Sequence, residues 1–215
     1  MGDIGGSHVK ILATGHNEPR KFSSGPKMTV ERMVSGVTKL ARGWKYDVVS
    51  IGYPGVVRGD CVVLEPRHLA PGWVGFNFQA AFGCPVKLLS DAAMQALGSY
   101  RDGTLLFLGL GTGLGSALVV NGAVVPMELG HLPYEKGTYE DYVGASGLKE
   151  RGKKKWRTHV AHVVAGLVAA LQSSDVVIGG GNVGKLAELP AGCRAGDNDN
   201  AFLGGFCMWE NASRR

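Results

Sequence analysis

Two short runs pair glycine with a hydroxyl side chain, Gly5-Gly6-Ser7 and Gly111-Thr112-Gly113. Such turns at strand ends can bring backbone N–H and side-chain O–H groups close to phosphate oxygens. Phosphoryl transfer also needs a divalent ion to offset charge and a base at the acceptor hydroxyl. Asp3, at the mouth of the first turn, can hold Mg²⁺ through water. Asp91 follows an apolar stretch and precedes a helical one, at a sheet edge where α/β proteins commonly bind ligands. Glu128 and His131 stand three apart, with Glu140 and Asp141 soon after, and groups of this kind suit sugar hydroxyls.

Each feature has a plainer reading. A glycine turn alone is a hairpin, and Ser90-Asp91 alone reads first as a helix N-cap. Only the company of the two turns makes Asp91 a candidate base. No GxxxxGK[ST] run occurs, and Gly111, Gly113 and Gly115 fall between two expected strands, so the usual nucleotide fingerprints do not apply. His68, His159 and His162 read as structural histidines.

The elements that must position these groups follow from periodicity. Residues 3–12 read as a strand, a glycine turn and a second strand; only Met1 and Gly2 precede Asp3, so the first strand is expected to be cut short. Val30, Met33, Val34, Val37, Leu40 and Ala41 mark a helix over 28–42, with Gly43 where a C-cap falls. Strands are expected at 48–52 and 85–89, the second ending at Ser90-Asp91, and a helix at 92–100. Strands at 105–110 and 116–120 flank the second glycine turn and repeat the logic of the opening hairpin. A long helix is expected from about 155 to 172, then a strand at 175–178 that delivers Gly179-Gly180-Gly181 to another helix. A closing helix is expected at 201–210, and 211–215 carry no pattern and are expected to fray. Strands, hairpins and crossover helices in this order argue for an α/β fold. Two lobes are expected, 1–90 and 91–200, with the closing segment 201–215 packed back on the first.

The chain has 215 residues, 45% hydrophobic and 19% charged, a composition that excludes disorder. No stretch approaches the roughly 18 apolar residues of a membrane span, and no secretory signal is visible, so a cytoplasmic protein is expected. The four cysteines lack ligand spacing, so free thiols and no zinc site are expected. Lys and Arg exceed Asp and Glu by 23 to 18, for a net charge of +5, which suits an anionic ligand without naming it. The 34 glycines cluster at segment junctions and form no repeat.

Together these segments resemble the ROK family of sugar kinases, and within it the polyphosphate and ATP glucokinases. Asp3-Ile4-Gly5-Gly6-Ser7 looks like the family's first phosphate motif, with Lys10 counted as a further phosphate contact, and the run from Leu110 to Ser116, which includes Gly111, Thr112, Gly113 and Gly115, looks like its second. Asp91 sits where the family has its catalytic aspartate. Glu128-Leu129-Gly130-His131 is similar to the sugar-binding ELGH, and Glu140 to the glutamate that follows it. Gly179-Gly180-Gly181 resembles the adenosine-side glycine motif. Five motifs stand in the family's order.

The resemblance implies an actin-like, hexokinase-like (ribonuclease H-like) two-lobed fold with a cleft between lobes. It also implies Mg²⁺, ATP or polyphosphate as donor, and transfer to the 6-hydroxyl of glucose, with mannose as a further sugar. A homodimer is compatible with it, and no nucleic acid or membrane partner is implied. Ser90 replaces the Asn common before the catalytic aspartate and is expected to touch the sugar. The cysteine-rich zinc motif that often follows ELGH is missing, as in the polyphosphate-using branch. His131 is then expected to contact sugar directly. The basic run Lys153-Lys154-Lys155-Trp156-Arg157 reads as a solvated helix end or as a row of cations for linear polyphosphate. One rival is a family member that binds sugar without turnover. Another, a sugar-sensing repressor, would carry a DNA-binding helix-turn-helix before the first glycine motif, where only two residues stand.

Overall fold

The computed structural model describes residues 1–210, so the segment 211–215 expected to fray lies outside them. The chain divides into two compact units, Met1–Met94 with the residues from Ala201 on, and Gln95–Asn200. The division falls inside a helix, four residues beyond the expected 90/91 boundary, so Asp91 goes with the first unit and not the second. Four residues of that helix stay with the strand that leads into it.

In the first unit β1 (Gly2–Ile4), β2 (His8–Ile11) and β3 (Arg20–Ser23) form an antiparallel meander. Helix α1 (Val30–Leu40) follows, capped by Thr29, whose Oγ1 accepts from the Arg32 N–H at 3.3 Å. It buries Val30 and Met33. β4 (Val49–Tyr53) then lies parallel to β1. After the small ribbon β5 (Val57–Arg58) and β6 (Cys61–Val62) and the short helix α2 (Phe78–Phe82), β7 (Val86–Ser90) lies parallel to β4 and runs into α3 (Asp91–Ser99). The sheet order is β3-β2-β1-β4-β7. Its core includes Ile4, Val9, Ile51, Tyr53, Trp73 and Leu88.

The loop before α2 is pinned by Glu65, whose carboxylate accepts from the N–H groups of Gly72 and Trp73 at 3.0 Å and Val74 at 3.2 Å. The bond from Trp73, with its neighbours, holds the Glu65 carboxyl below the usual carboxylate range. Stability from this group is present above the ordinary Glu value and is lost as pH falls through the lowered one. Glu65→Gln is expected to cost about 1 kcal/mol or less at neutral pH, the group being exposed. In thermal melts the difference from the parent should shrink as the solution is acidified; a difference that is constant with pH contradicts this.

The second unit repeats the plan. β8 (Thr104–Leu110), β9 (Leu114–Val120) and β10 (Ala123–Met127) form an antiparallel meander. A ribbon of β11 (Pro133–Tyr134) and β12 (Gly137–Thr138) leads into α4 (Tyr139–Val143) and α5 (Ala145–Leu171). β13 (Asp175–Gly179) then adds parallel to β8, and β14 (Cys193–Ala195) parallel to β13. The order β10-β9-β8-β13-β14 matches that of the first sheet strand for strand. In each sheet a glycine turn joins the first two strands. Within α5, Gly152 leaves the helical region (φ 72°, ψ 163°), so the long amphipathic helix expected from about 155 starts just beyond that break. It buries Trp156, Val160, Val163, Val164 and Leu167. The helix expected after Gly179-Gly180-Gly181 does not form; a single 3₁₀ turn, Val183–Lys185, stands there. Gly184 and Pro190 bracket too few residues for a helix to propagate.

The closing helix α6 (Asn200–Glu210) is tied to the first unit: Trp209 Nε1 donates to Ser50 Oγ at 3.0 Å and Lys87 Nζ to the Met208 carbonyl at 2.7 Å. Among the described residues no helix is long and apolar enough to cross a membrane. The four cysteines are unpaired.

Candidate active site

The first unit gathers its candidates along one strand-end edge. Register pairs Asp3 with Lys10 on β2 and with Gly52 on β4, and Gly52 with Leu89 on β7. Directly opposed residues share a face, so Lys10 and Asp3 stand on the same side of the sheet. Gly52 leaves room there: a Cβ at that position would fall 3.4 Å from Asp3 Oδ1. The Gly5-Gly6-Ser7 turn leaves β1 at the edge where β7 delivers Asp91. The turn is held by Ser24, whose N–H donates to the Ser7 carbonyl at 2.9 Å and whose hydroxyl donates to the Gly5 carbonyl at 2.5 Å. His68, read from the sequence as structural, is exposed, and its Cβ would lie 3.7 Å from a Cβ on Gly6.

The cap at the start of α3 is Ser90, not Asp91. Ser90 Oγ accepts from the Ala93 N–H at 3.2 Å, three residues on, which is the N-cap bond. Asp91 is the first helical residue, with Oδ1 accepting from the Ala92 N–H at 2.7 Å. An acid in the first turn suits the helix dipole. Ser90 is buried, and one lone pair of its oxygen is used by this cap bond, which leaves its hydroxyl hydrogen and a second lone pair for a ligand.

In the second unit the Gly111-Thr112-Gly113 turn is anchored from two directions. Asn182 Nδ2 donates to the Gly111 carbonyl at 2.8 Å, and the Ala145 N–H to the Thr112 carbonyl at 3.0 Å. Gly180, at φ 90°, packs on the strand that feeds this turn, so a Cβ there would lie 2.5 Å from the Leu110 carbonyl oxygen. Gly181 faces open space. Gly115 lies in β9, opposite Gly109.

Glu140 links His131 to the same turn. Its Oε1 is 3.8 Å from His131 Nε2, and a side chain on Gly113 would collide with its Oε2. Glu128 precedes the 3₁₀ turn Leu129–His131. Ser116, 1% exposed, holds that segment: its Oγ accepts from the Leu129 N–H and donates to the Met127 carbonyl, each at 3.0 Å. Helix α4, which carries Glu140, is braced by Trp156 Nε1 donating to the Val143 carbonyl at 2.8 Å, and by a cluster of Tyr134, Tyr139, Tyr142 and His159. Tyr134 Oη lies within hydrogen-bond distance of His159 Nδ1, at 3.0 Å, and burial pushes the phenol pKa up.

The basic run does not form a row. Consecutive helical residues are about 100° apart, so Lys153, Lys154 and Lys155 fan around the first turn after the break, with Trp156 turned into the core. The sequence pointed to neither Asn182 nor Lys185. Lys185 Nζ donates to Asn182 Oδ1 at 2.7 Å, and Arg157 Nε to the Lys185 carbonyl at 2.8 Å.

Among the described residues no three His, Cys, Asp or Glu side chains converge to cage a metal. Mg²⁺ usually keeps its waters and binds through one or two carboxylates and substrate phosphates, so a single carboxylate such as that of Asp3 is chemically suited to hold it through water. A cavity of about 310 Å³ in the first unit, lined by Ile11, Val37, Val49, Phe206 and Trp209, contains none of the candidate residues and lies at the other end of β1.

The family model described as ROK family matches residues 3–149. Polyphosphate glucokinase of Mycobacterium leprae (strain TN) is 28% identical over 203 residues, covering 87% of this chain and 59% of that protein. This chain therefore spans less than two thirds of that relative's length. Kanosamine kinase of Amycolatopsis mediterranei (strain S699) is 27% identical over 169 residues, covering 67% of this chain and 55% of the relative. The crystal structure of inorganic polyphosphate/ATP-glucomannokinase from Arthrobacter sp. strain KM superposes with a TM-score of 0.82 at 21% identity, over 100% of this chain and 98% of that one. The α/β fold expected from the sequence, of the two-lobed actin-like class, is the fold found.

Proposed function

The chain belongs to the ROK family, and on that footing we propose that it is a sugar kinase that transfers a phosphoryl group from ATP or inorganic polyphosphate to the 6-hydroxyl of glucose. The observation that carries this reading is the register Asp3–Gly52–Leu89, which brings the first glycine turn and Asp91 to one edge of one sheet. Asp91 takes the proton of the acceptor hydroxyl as its oxygen attacks phosphorus. The bond to the donor oxygen breaks, and the products are a sugar phosphate and ADP, or a polyphosphate one unit shorter. Ser7, Thr112 and the N–H groups of the two turns meet the charge on the transferring group. Lys10 adds a cation on the face of Asp3. Glu128, His131 and Glu140 hold the sugar, the contact of Glu140 with Gly113 linking sugar to phosphate turn. Mg²⁺ held by Asp3 through water would offset phosphate charge.

Three ammonium groups in the first turn of a helix oppose its dipole by about 0.3 to 1 kcal/mol each at most. That placement supports an anionic ligand at the run. Replacing Lys153, Lys154 and Lys155 together by Ala is expected to raise the KM for polyphosphate about tenfold and the KM for ATP less. Equal loss with both donors would count against it.

Sugar binding without turnover is the second reading, carried by Ser90 standing where the family commonly has Asn before the catalytic aspartate. Incubation with glucose, Mg²⁺ and either ATP or polyphosphate, read by mass spectrometry, separates the two. A hexose monophosphate is expected; none with either donor, while glucose still binds, supports the second reading.

A further inference from the structure

Outside the glycine turns, the second unit holds an unbroken line of contacts that begins at a phosphate turn and ends in cations. The Gly111 carbonyl accepts from Asn182 Nδ2 at 2.8 Å, Asn182 Oδ1 accepts from Lys185 Nζ at 2.7 Å, and the Lys185 carbonyl accepts from Arg157 Nε at 2.8 Å. Asn182 is 8% exposed and uses both ends of its amide in this line, so its orientation is fixed. An ammonium group is thereby held two hydrogen bonds from the Gly111 backbone. Arg157 stands one helical turn after Lys153, on the same face of the helix. Arg157 thus follows Lys185 in this line, and Lys153 stands beside Arg157 on the same helix face.

We propose that Lys185, oriented by Asn182 and continued by Arg157, binds the phosphoanhydride chain of the donor on the side away from the transferred group. The proposal rests on the kinase reading and adds to it a donor-binding residue. The chemistry favours this ligand over a single phosphate. A lone phosphate at the turn is served by the turn's own N–H and hydroxyl groups, whereas spaced cations match a ligand that carries a charge on every unit. A lysine suits such a ligand because its ammonium is a point charge with little directional demand. Lys185 is exposed, as a group that meets an incoming chain must be. The phosphates of ATP and of inorganic polyphosphate share this chemistry; the longer chain is the one that reaches Arg157 and Lys153.

Steady-state kinetics of Lys185→Ala with glucose and each donor test the idea. The KM for polyphosphate is expected to rise about tenfold and that for ATP by less, with the KM for glucose within about twofold. Lys185→Arg is expected to recover most of the polyphosphate KM, which a merely structural role would not require. Direct binding of inorganic tripolyphosphate, by titration calorimetry on the parent and on Lys185→Ala, is independent of turnover. Tighter binding to the parent that weakens steeply with salt supports the proposal. An unchanged polyphosphate KM and tripolyphosphate affinity in Lys185→Ala, or an equal rise in the glucose KM, overturns it. A parent chain that binds tripolyphosphate through Lys185 but makes no sugar phosphate overturns the kinase reading alone.

Discussion

Asp91→Asn is expected to lower kcat about a thousandfold while glucose binding stays within a few-fold of the parent. The asparagine keeps the shape of the side chain and can still accept from the Ala92 N–H through Oδ1, so the start of α3 is preserved. What it loses is the capacity to take a proton. The helix does not depend on Asp91 for its cap, because Ser90 makes the N-cap bond. Ser90→Ala is the natural companion: it is expected to cost about 1 kcal/mol of stability through the lost cap. Calorimetry with glucose and a coupled rate assay on both variants separate the roles. An Asp91→Asn variant with parental kcat would remove the assigned base, and one that loses glucose affinity in proportion to rate would make Asp91 a binding group instead.

Gly180→Ala is expected to destabilise the second unit by about 3 kcal/mol and to raise the KM for either donor. Two costs add at this position. The backbone is at φ 90°, a region that L residues rarely adopt, and the new methyl would lie 2.5 to 2.8 Å from the carbonyl oxygen, carbonyl carbon and nitrogen of Leu110. All three atoms are backbone, and none is the far end of a flexible side chain. Relief has to come from moving the strand end that carries Gly111, and with it the carbonyl gripped by Asn182. Gly181→Ala, which meets nothing within 4 Å, is expected to stay within about 0.5 kcal/mol of the parent. Chemical denaturation of the two variants gives the contrast; equal midpoints would show that Gly180 is not a packing requirement.

The parts of the fold that were legible in the sequence are those whose cause is local. A buried strand ending in Ser90-Asp91, an amphipathic α1 and two hairpins with glycine turns each carry their signal within a dozen residues. Strands β3 and β10 were not legible. The first is Arg-Lys-Phe-Ser and mostly exposed, with no apolar alternation, and the second contains Pro126, which an edge strand tolerates. Residues of α5 before Gly152 were not legible, because Gly144, Gly147 and Gly152 interrupt the helical pattern; in the structure the first two are set by close packing, Gly144 against the Glu140 and Thr112 carbonyls and Gly147 against Tyr142. The helix expected after Gly181 failed because Gly184 and Pro190 leave too few residues for one to propagate.

The site divides in the same way. The glycine turns, Asp91 and the Glu128 to His131 segment announce themselves as motifs. The hold of Asn182 on Gly111, 71 residues apart, has no local sign. The cap, too, went to the neighbouring serine because geometry favours the residue just before the first helical one, and the sequence shows only that both side chains are capable.

The central claim is that this chain moves a phosphoryl group to a sugar with Asp91 as base. Coupled detection of glucose 6-phosphate with the parent chain and with Asp91→Asn, ATP and polyphosphate being supplied in separate reactions, tests it most directly. Turnover by the parent with at least one donor, and near-complete loss in the variant, is the predicted result. No glucose 6-phosphate from the parent with either donor, or equal rates from parent and variant, would contradict it.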